Sequence, residues 1–422
     1  MIEWCVNNEE AEVVAICDAS EVVRERVSEY LRKNDYSSEI YEDFEAFLRH
    51  DMDAVVLANY ANEHAPFAIR CLEKGLHVMS EVLPVQTLSE AVQLVEAVEK
   101  SNKIYAYAEN YCYMPAPAEM KRLYERGDLG EFEYGEGEYV HNCADCWHSI
   151  TYGDPNHWRN RMSAFYYCTH SVGPLLHITG LRPVQVSGFE LPHNESAHRV
   201  GYKGGSGAIE MVRLENGAMI KSFHALTLKG NSVWYNLYGT KGSVESERES
   251  VGEYGVAKTY LRKYSDEYPQ GEWAKYRPAP DGKIVEGAFG VNGENSYTVK
   301  QRDEALNEFM KAGHNGSDHF TMKNFVKAVR EENAEIIDVY EALDMAFVGL
   351  FGYFSALEGG KSMDIPNFRN RSEREKYRAD TRCTDPKKAG DQWIPSYSKG
   401  DPDISDETYA RMRELYERDL KK

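Results

Sequence analysis

The stretch HNCADCWH carries Cys143 and Cys146 in Cys-x-x-Cys spacing, with His141 and His148 on either side. Thiolate and imidazole are donor types that zinc takes, but structural zinc sites usually combine two separated knuckles and only one is here. The stretch therefore reads as a loop with reduced thiols and histidines facing a polar cleft, and no metal is expected. A second stretch, AEVVAICDAS, ends the apolar run Val13 to Cys17 in Asp18. In a dinucleotide-binding fold the second strand ends this way, its acid on the adenosine ribose hydroxyls, which favours NAD over NADP. The alternative is a strand-end or helix-capping acid. That fold also needs a first strand and a G-x-G-x-x-G turn, yet residues 1–17 contain no glycine. The sequence reads as entering the fold one strand and one turn late.

The elements that position these residues follow from periodicity. Helical spacing covers Glu21 to Lys33, APFAIRCLEKG up to Gly75, and Leu88 to Glu99; strands are expected at Ala54–Ala58, His77–Met79 and Ile104–Tyr107. Strands alternating with helices of this length give a parallel sheet. After a helix at Ala116–Arg126 the pattern turns β-rich, with EMVRL and MIKSF joined through Asn216-Gly217 as a hairpin. Long helices are expected at Phe320–Glu331 and Asp338–Leu357, and a short one at Thr408–Arg418. The fold class is α/β: a Rossmann-type parallel sheet lacking its first strand, then an open-faced α/β domain with a large mixed or antiparallel sheet. The domains expected are 1–114 for the dinucleotide, 115–364 for substrate and oligomerisation, and a charged extension, 365–422, that wraps the body or reaches a neighbouring subunit.

The formal charge of −20 argues against a nucleic-acid partner. No apolar run approaches the roughly 18 residues of a membrane span. Eight cysteines scattered over 422 residues are no disulfide scaffold. No signal peptide is visible, and the expected location is cytoplasmic.

Three stretches, VVAICDAS, DAVVLANYANEHAPFAIRCLEKGLHVMSE and EGGKSMDIPNF, give the chain from residue 12 to about 368 a resemblance to the glucose–fructose oxidoreductase, inositol dehydrogenase and rhizopine-catabolism (Gfo/Idh/MocA) family. The family's Glu-Lys-Pro is replaced by Glu81-Val82-Leu83-Pro84, and Tyr166 stands four residues before His170 where an aspartate is usual. One branch, the NAD-dependent glycosidases of the α-N-acetylgalactosaminidase type, shares these departures. The chain is similar to it in Glu81-Val82, Glu109-Asn110, Tyr139-Val140-His141, Tyr167-Cys168-Thr169-His170-Ser171-Val172-Gly173-Pro174, YGTKGSVE and Gly313-His314-Asn315-Gly316-Ser317-Asp318.

The resemblance implies NAD as cofactor, a sugar or glycoside as small-molecule substrate, and a homo-oligomer formed through the open sheet face. It implies hydride transfer at a sugar carbon by an oxidoreductase. The alternatives are a glycoside hydrolase that uses transient oxidation at C3 and elimination, and an inactive paralogue, suggested by the lost lysine and the absent glycine turn. Catalysis falls to His170 at the C3 hydroxyl, with Tyr139 and Tyr167 at the C2 proton or leaving group, although a phenol is a poor base unless a cation lowers its pKa from about 10. Asp18, Asn59, His64, Glu81 and Asn110 would meet the cofactor at the carboxyl edge of the sheet; equally, Asn59 turns the chain and His64 caps or packs. Trp158 and Arg159 suit sugar stacking and hydroxyl recognition or, equally, an interface; His314 and Asp318 line the cleft or cap the following helix.

Overall fold

The computed structural model describes residues 1–7, 10–246, 259–264, 269–276 and 316–420. Its N-terminal strands form two parallel ladders. In one, β1 (Ala15–Cys17) pairs with β2 (Glu39–Tyr41); in the other, β3 (Ala54–Leu57), β4 (His77–Ser80) and β5 (Tyr105–Tyr107) lie in sequence order. Val13 and Val14, expected within the first of these strands, lie ahead of it, and the Val13 N–H is taken by the Tyr36 hydroxyl instead of a ladder partner. In a doubly wound sheet the strand that joins such halves precedes β1. Among the described residues that stretch holds the helix Ile2–Val6 and no strand, so the halves stay separate. Trp4 and Cys5 of this helix are buried, and Trp4 Nε1 donates to His319 Nδ1 at 3.0 Å.

Local chemistry sets the helices between these strands. Leu88–Ser101 opens with a capping box, in which the Thr87 hydroxyl accepts from Glu90 N and the Glu90 carboxylate from Thr87 N. Its inner residues Leu88, Ala91, Val92, Leu94 and Val95 are buried against the sheet. Gly75 follows the helix His64–Glu73 with φ +86°, a left-handed conformation that favours glycine.

Beyond the helix Pro115–Glu125 the chain builds one mixed sheet of nine strands. They are β6 (Phe132–Val140), β7 (Pro183–Glu190), β8 (Gly207–Leu214), β9 (Met219–Ala225), β10 (Ser232–Gly239), β11 (Gly242–Ser246), β12 (Thr259–Lys263), β13 (Glu272–Tyr276) and β14 (Met363–Asp364). Their spatial order is β13-β12-β11-β10-β6-β9-β8-β7-β14, with only β6 and β9 parallel. The β8–β9 hairpin turns at Asn216-Gly217 as the sequence predicts. Helices Thr169–Thr179 and Val339–Leu357 cover one face. The other leaves Phe189 and Tyr238 exposed.

Residues after Ile365 wrap the body. Arg374 forks both carboxylate oxygens of Glu99, at 2.7 and 2.5 Å, and Ser89 N donates to Asp380 O. Lys388 Nζ reaches Glu90 Oε1 at 2.6 Å. Farther on, Ser398 N donates to Glu190, and the helix Asp406–Leu420 docks through Tyr409 on the Gly201 carbonyl and Asp419 on His148. The segment thus touches both the parallel ladders and the large-sheet unit.

The helix Thr169–Thr179 crosses β6 at Gly137, where a Cβ would fall 1.8 Å from the Ser171 carbonyl oxygen. Gly137→Ala is expected to destabilise the protein by about 3 kcal/mol, since the backbones must part. Urea unfolding midpoints for the variant and the parent check this; unchanged stability would refute the close approach.

Candidate active site

The carboxyl ends of the parallel strands converge on one rim. Asp18 follows β1 directly, and its Oδ1 accepts from Ser20 N at 2.7 Å, so it caps the chain's entry into the helix Glu21–Lys33. Asn59 follows β3 and is exposed. Glu81 follows β4, half-buried, with its Oε2 3.4 Å from Val82 N. Asn110, three residues beyond the buried strand β5, donates from Nδ2 to Asp318 Oδ1 at 3.4 Å, while its own Oδ1 is buried without a partner among the described residues. Asp318 lies in the first turn of the helix Ser317–Val329, so the structure unites two candidates 208 positions apart. His314 lies outside the described residues. His64 takes the packing alternative: it is buried, Nδ1 lies 2.8 Å from Leu83 O and Nε2 3.0 Å from Asn59 O, and it ties two rim loops together.

Among these residues a dinucleotide finds partners at its two ends. Asp18 offers a carboxylate where ribose hydroxyls would lie, and the unpartnered Asn110 Oδ1 offers an acceptor for a carboxamide N–H. No glycine cradle for the pyrophosphate occurs in residues 1–17. The donor set therefore fits NAD at the adenosine ribose and the nicotinamide end.

His170 stands at the start of the helix Thr169–Thr179, facing Asn110's neighbour. Its Nδ1 lies 2.7 Å from Glu109 Oε1, and Glu109 has no exposed surface. The imidazole keeps about a tenth of its side-chain surface open, and no described residue bonds Nε2. Tyr235 donates to the His170 carbonyl at 2.5 Å and pins the helix start. The ring lies against Tyr111 at 4.5 Å and Tyr139 at 4.7 Å between centroids, with Tyr167 at 5.9 Å. Tyr139 and Tyr167 stack nearly parallel, 6.1 Å apart, and the Tyr139 hydroxyl meets His141 Nδ1 at 2.9 Å.

Burial pushes the phenols of Tyr111, Tyr139 and Tyr167 up from their ordinary value. The Arg159 guanidinium, which donates to the Tyr167 hydroxyl, pulls the other way, but desolvation is larger. These tyrosines thus suit donating a hydrogen bond or a proton, and beside them His170 Nε2 offers a base. Arg159 also lies over the Trp158 ring at 4.9 Å, so both join the wall that leads outward from His170. His157 continues that wall, 4.9 Å from the exposed Tyr60 ring, and burial holds its pKa down to about 4. Sequence reasoning did not assign Glu109, Tyr111 or His157 a place in the site. The available signal for Glu109 was its position, an acid just past the apolar YAYA.

Beneath the His170 helix lies a second buried pair. His224 Nδ1 is 3.5 Å from Glu210 Oε2, both fully buried, with Ser171 and Ser222 alongside. Burial raises Glu210 well above its ordinary 4.5 and lowers His224 from 6.5 to about 3. The His141 and His148 rings are engaged by Tyr139 and Asp419, and among the described residues no group of three His, Cys, Asp or Glu could hold a metal.

Comparison with known proteins agrees with this architecture. Residues 2–109 match the oxidoreductase family GFO_IDH_MocA, described as an NAD-binding Rossmann fold, and residues 297–374 match the C-terminal domain of glycosyl hydrolase 109. A glycosyl hydrolase family 109 protein 1 of Shewanella sp. (strain ANA-3) is 23% identical over 87% of this chain and 82% of its own. An alpha-N-acetylgalactosaminidase of Shewanella oneidensis is 23% identical over the same shares, 87% and 82%. Among solved structures, levoglucosan dehydrogenase in complex with NADH superposes with TM-score 0.66 at 19% identity, over 85% of this chain and 91% of that one. An aldose-aldose oxidoreductase from Caulobacter crescentus does so with TM-score 0.63 at 17% identity, over 86% and 95%.

The buried pair sets a pH dependence. With Glu210 raised and His224 lowered, the folded pair carries one proton; the unfolded chain carries two below pH 4.5, one between 4.5 and 6.5, and none above 6.5. The pair's contribution is therefore level from 4.5 to 6.5 and declines as pH rises further, by up to ~1.4 kcal/mol per pH unit. Glu210→Gln removes the proton that folding retains, so unfolding midpoints from pH 6.5 to 8.5 should fall less steeply than the parent's. Identical slopes would show that Glu210 is ionised in the fold.

Proposed function

We infer that this chain is an NAD-dependent enzyme of the Gfo/Idh/MocA oxidoreductase family, acting on a sugar or glycoside at the His170 cleft. The observation that carries this reading is the Glu109–His170 pair at the cofactor rim, 2.7 Å between Oε1 and Nδ1 with Nε2 open. NAD, when bound, supplies the hydride acceptor and donor. The chain supplies the rest. His170 Nε2 accepts the proton of the reacting hydroxyl, and the Glu109 carboxylate fixes the tautomer and stabilises the imidazolium that results. Tyr139 and Tyr167 pack their rings near the His170 imidazole, and with raised pKa values their phenols suit orienting substrate or protonating a leaving group rather than acting as a base. Trp158 and Arg159 would receive the sugar's apolar face and its hydroxyls.

A second reading, net hydrolysis of a glycoside with no net redox change, is favoured by the glycosyl hydrolase 109 match at residues 297–374 and by Val82 in the position of the dehydrogenase lysine. The exposed Tyr238 and Phe189 on the outer sheet face support pairing of identical chains there. Eight free cysteines, scattered and unpaired with one another, suit a reducing compartment such as the cytoplasm.

Purified protein incubated with aryl glycosides and no added nucleotide decides between the two. Phenol release with unchanged nicotinamide absorbance is the expected result for hydrolysis; NADH formation on adding NAD with a free sugar marks the dehydrogenase. His170→Ala should lower either rate at least ~100-fold, and Glu109→Gln, which weakens the hold on the imidazole, should lower kcat. Full activity in His170→Ala would exclude the proposed base.

A further inference from the structure

The dithiol behind the tyrosine wall has no part in that chemistry. Cys143 is buried and Cys146 exposed, on a tight turn in which Cys146 N donates to Cys143 O at 3.1 Å. A turn closed in this way holds its first and fourth Cα atoms less than ~7 Å apart, which spans the range that a disulfide bridges. The Cys146 thiol rests 3.4 Å from the Cys143 carbonyl, so a rotation about its own χ1 brings it to the neighbouring sulfur. The anchor of the turn is firm: Cys143 N donates to Leu226 O at 2.8 Å, and Trp147, fully buried, donates to Asn160 Oδ1 at 2.8 Å. The two histidines that could have made this a metal site are held elsewhere, by Tyr139 and Asp419.

We propose that Cys143 and Cys146 form a reversible intrachain disulfide, with exposed Cys146 the attacking thiol and buried Cys143 the resolving one. The oxidant is a peroxide. Cys146 thiolate attacks one peroxide oxygen and expels hydroxide, leaving a sulfenic acid; the Cys143 sulfur then attacks that sulfur, an S–S bond forms and water leaves. In sum, two S–H bonds give one S–S bond, and two electrons pass to the peroxide, which departs as two waters. Two features favour this order. The contact with Cys143, helped by a backbone N–H and by His148, draws the Cys146 thiol down to about 6, while the same contact and burial raise Cys143. Thiolate fraction and exposure both select Cys146 for first attack.

The test uses the full chain and needs no substrate. After one equivalent of hydrogen peroxide, denaturation and alkylation, intact mass and peptide mapping should show two fewer alkylated thiols, a 143–146 linkage, and full reversal by dithiothreitol. Cys143→Ser should instead accumulate a dimedone-reactive sulfenic acid on Cys146, and Cys146→Ser should leave Cys143 a free thiol. Oxidation of another cysteine first, or over-oxidation of Cys146 with Cys143 still reduced in the parent chain, would overturn the proposal.

Discussion

A carboxylate with no solvent contact must be balanced or neutralised, and that requirement organises the cleft. Glu109 leaves the parallel unit just past β5 and meets His170 on a helix of the large-sheet unit. An uncompensated buried charge costs several kcal/mol, so the pair holds the two units in register at the same time as it orients the imidazole. The surroundings serve that contact. Gly137 lets β6 approach Ser171 closely, Tyr235 fixes the His170 carbonyl in the first turn of the helix, and three tyrosine rings pack about the imidazole.

The tyrosines show how environment overrides residue type. A cation next to a phenol ordinarily promotes the phenolate, and Arg159 is next to Tyr167. Removal of water acts in the opposite sense and is larger, because the neutral phenol is the form that burial tolerates. The division of labour follows: one base, with hydrogen-bond donors ranged about it. The buried Glu210–His224 pair under the same helix obeys the same rule, and there each neutral form is favoured by desolvation.

Much of the fold was legible because it is periodic. Leu88–Ser101, with an apolar stripe and Thr87-x-x-Glu90 at its head, and the hairpin at Asn216-Gly217 declare themselves locally. The lack of a first strand was expected from the residues ahead of β1, but the separation of the sheet into two ladders was not. In the site, His170, Tyr139 and Tyr167 were placed by motif and do meet. Asn110 and Asp318 were named separately, and their contact was invisible because no local pattern spans 208 positions. His64 was left between two readings for a related reason: a histidine after a strand end looks alike whether it faces a ligand or two carbonyls. Glu109 was quoted and passed over, since its importance lies in burial, which one position in a sequence does not display.

The late segment that fastens the parallel unit has a consequence for the order of assembly. Glu99 and Glu90 leave the ribosome well before Arg374 and Lys388, the cations that hold them. During synthesis the helix Leu88–Ser101 must therefore wait, its acidic side unclasped, while some 270 further residues are made. At typical rates of ~5–20 residues per second that interval lasts on the order of tens of seconds. Over that time the helix stands unclasped, and closure of residues 374–388 over it is the event that ends the wait.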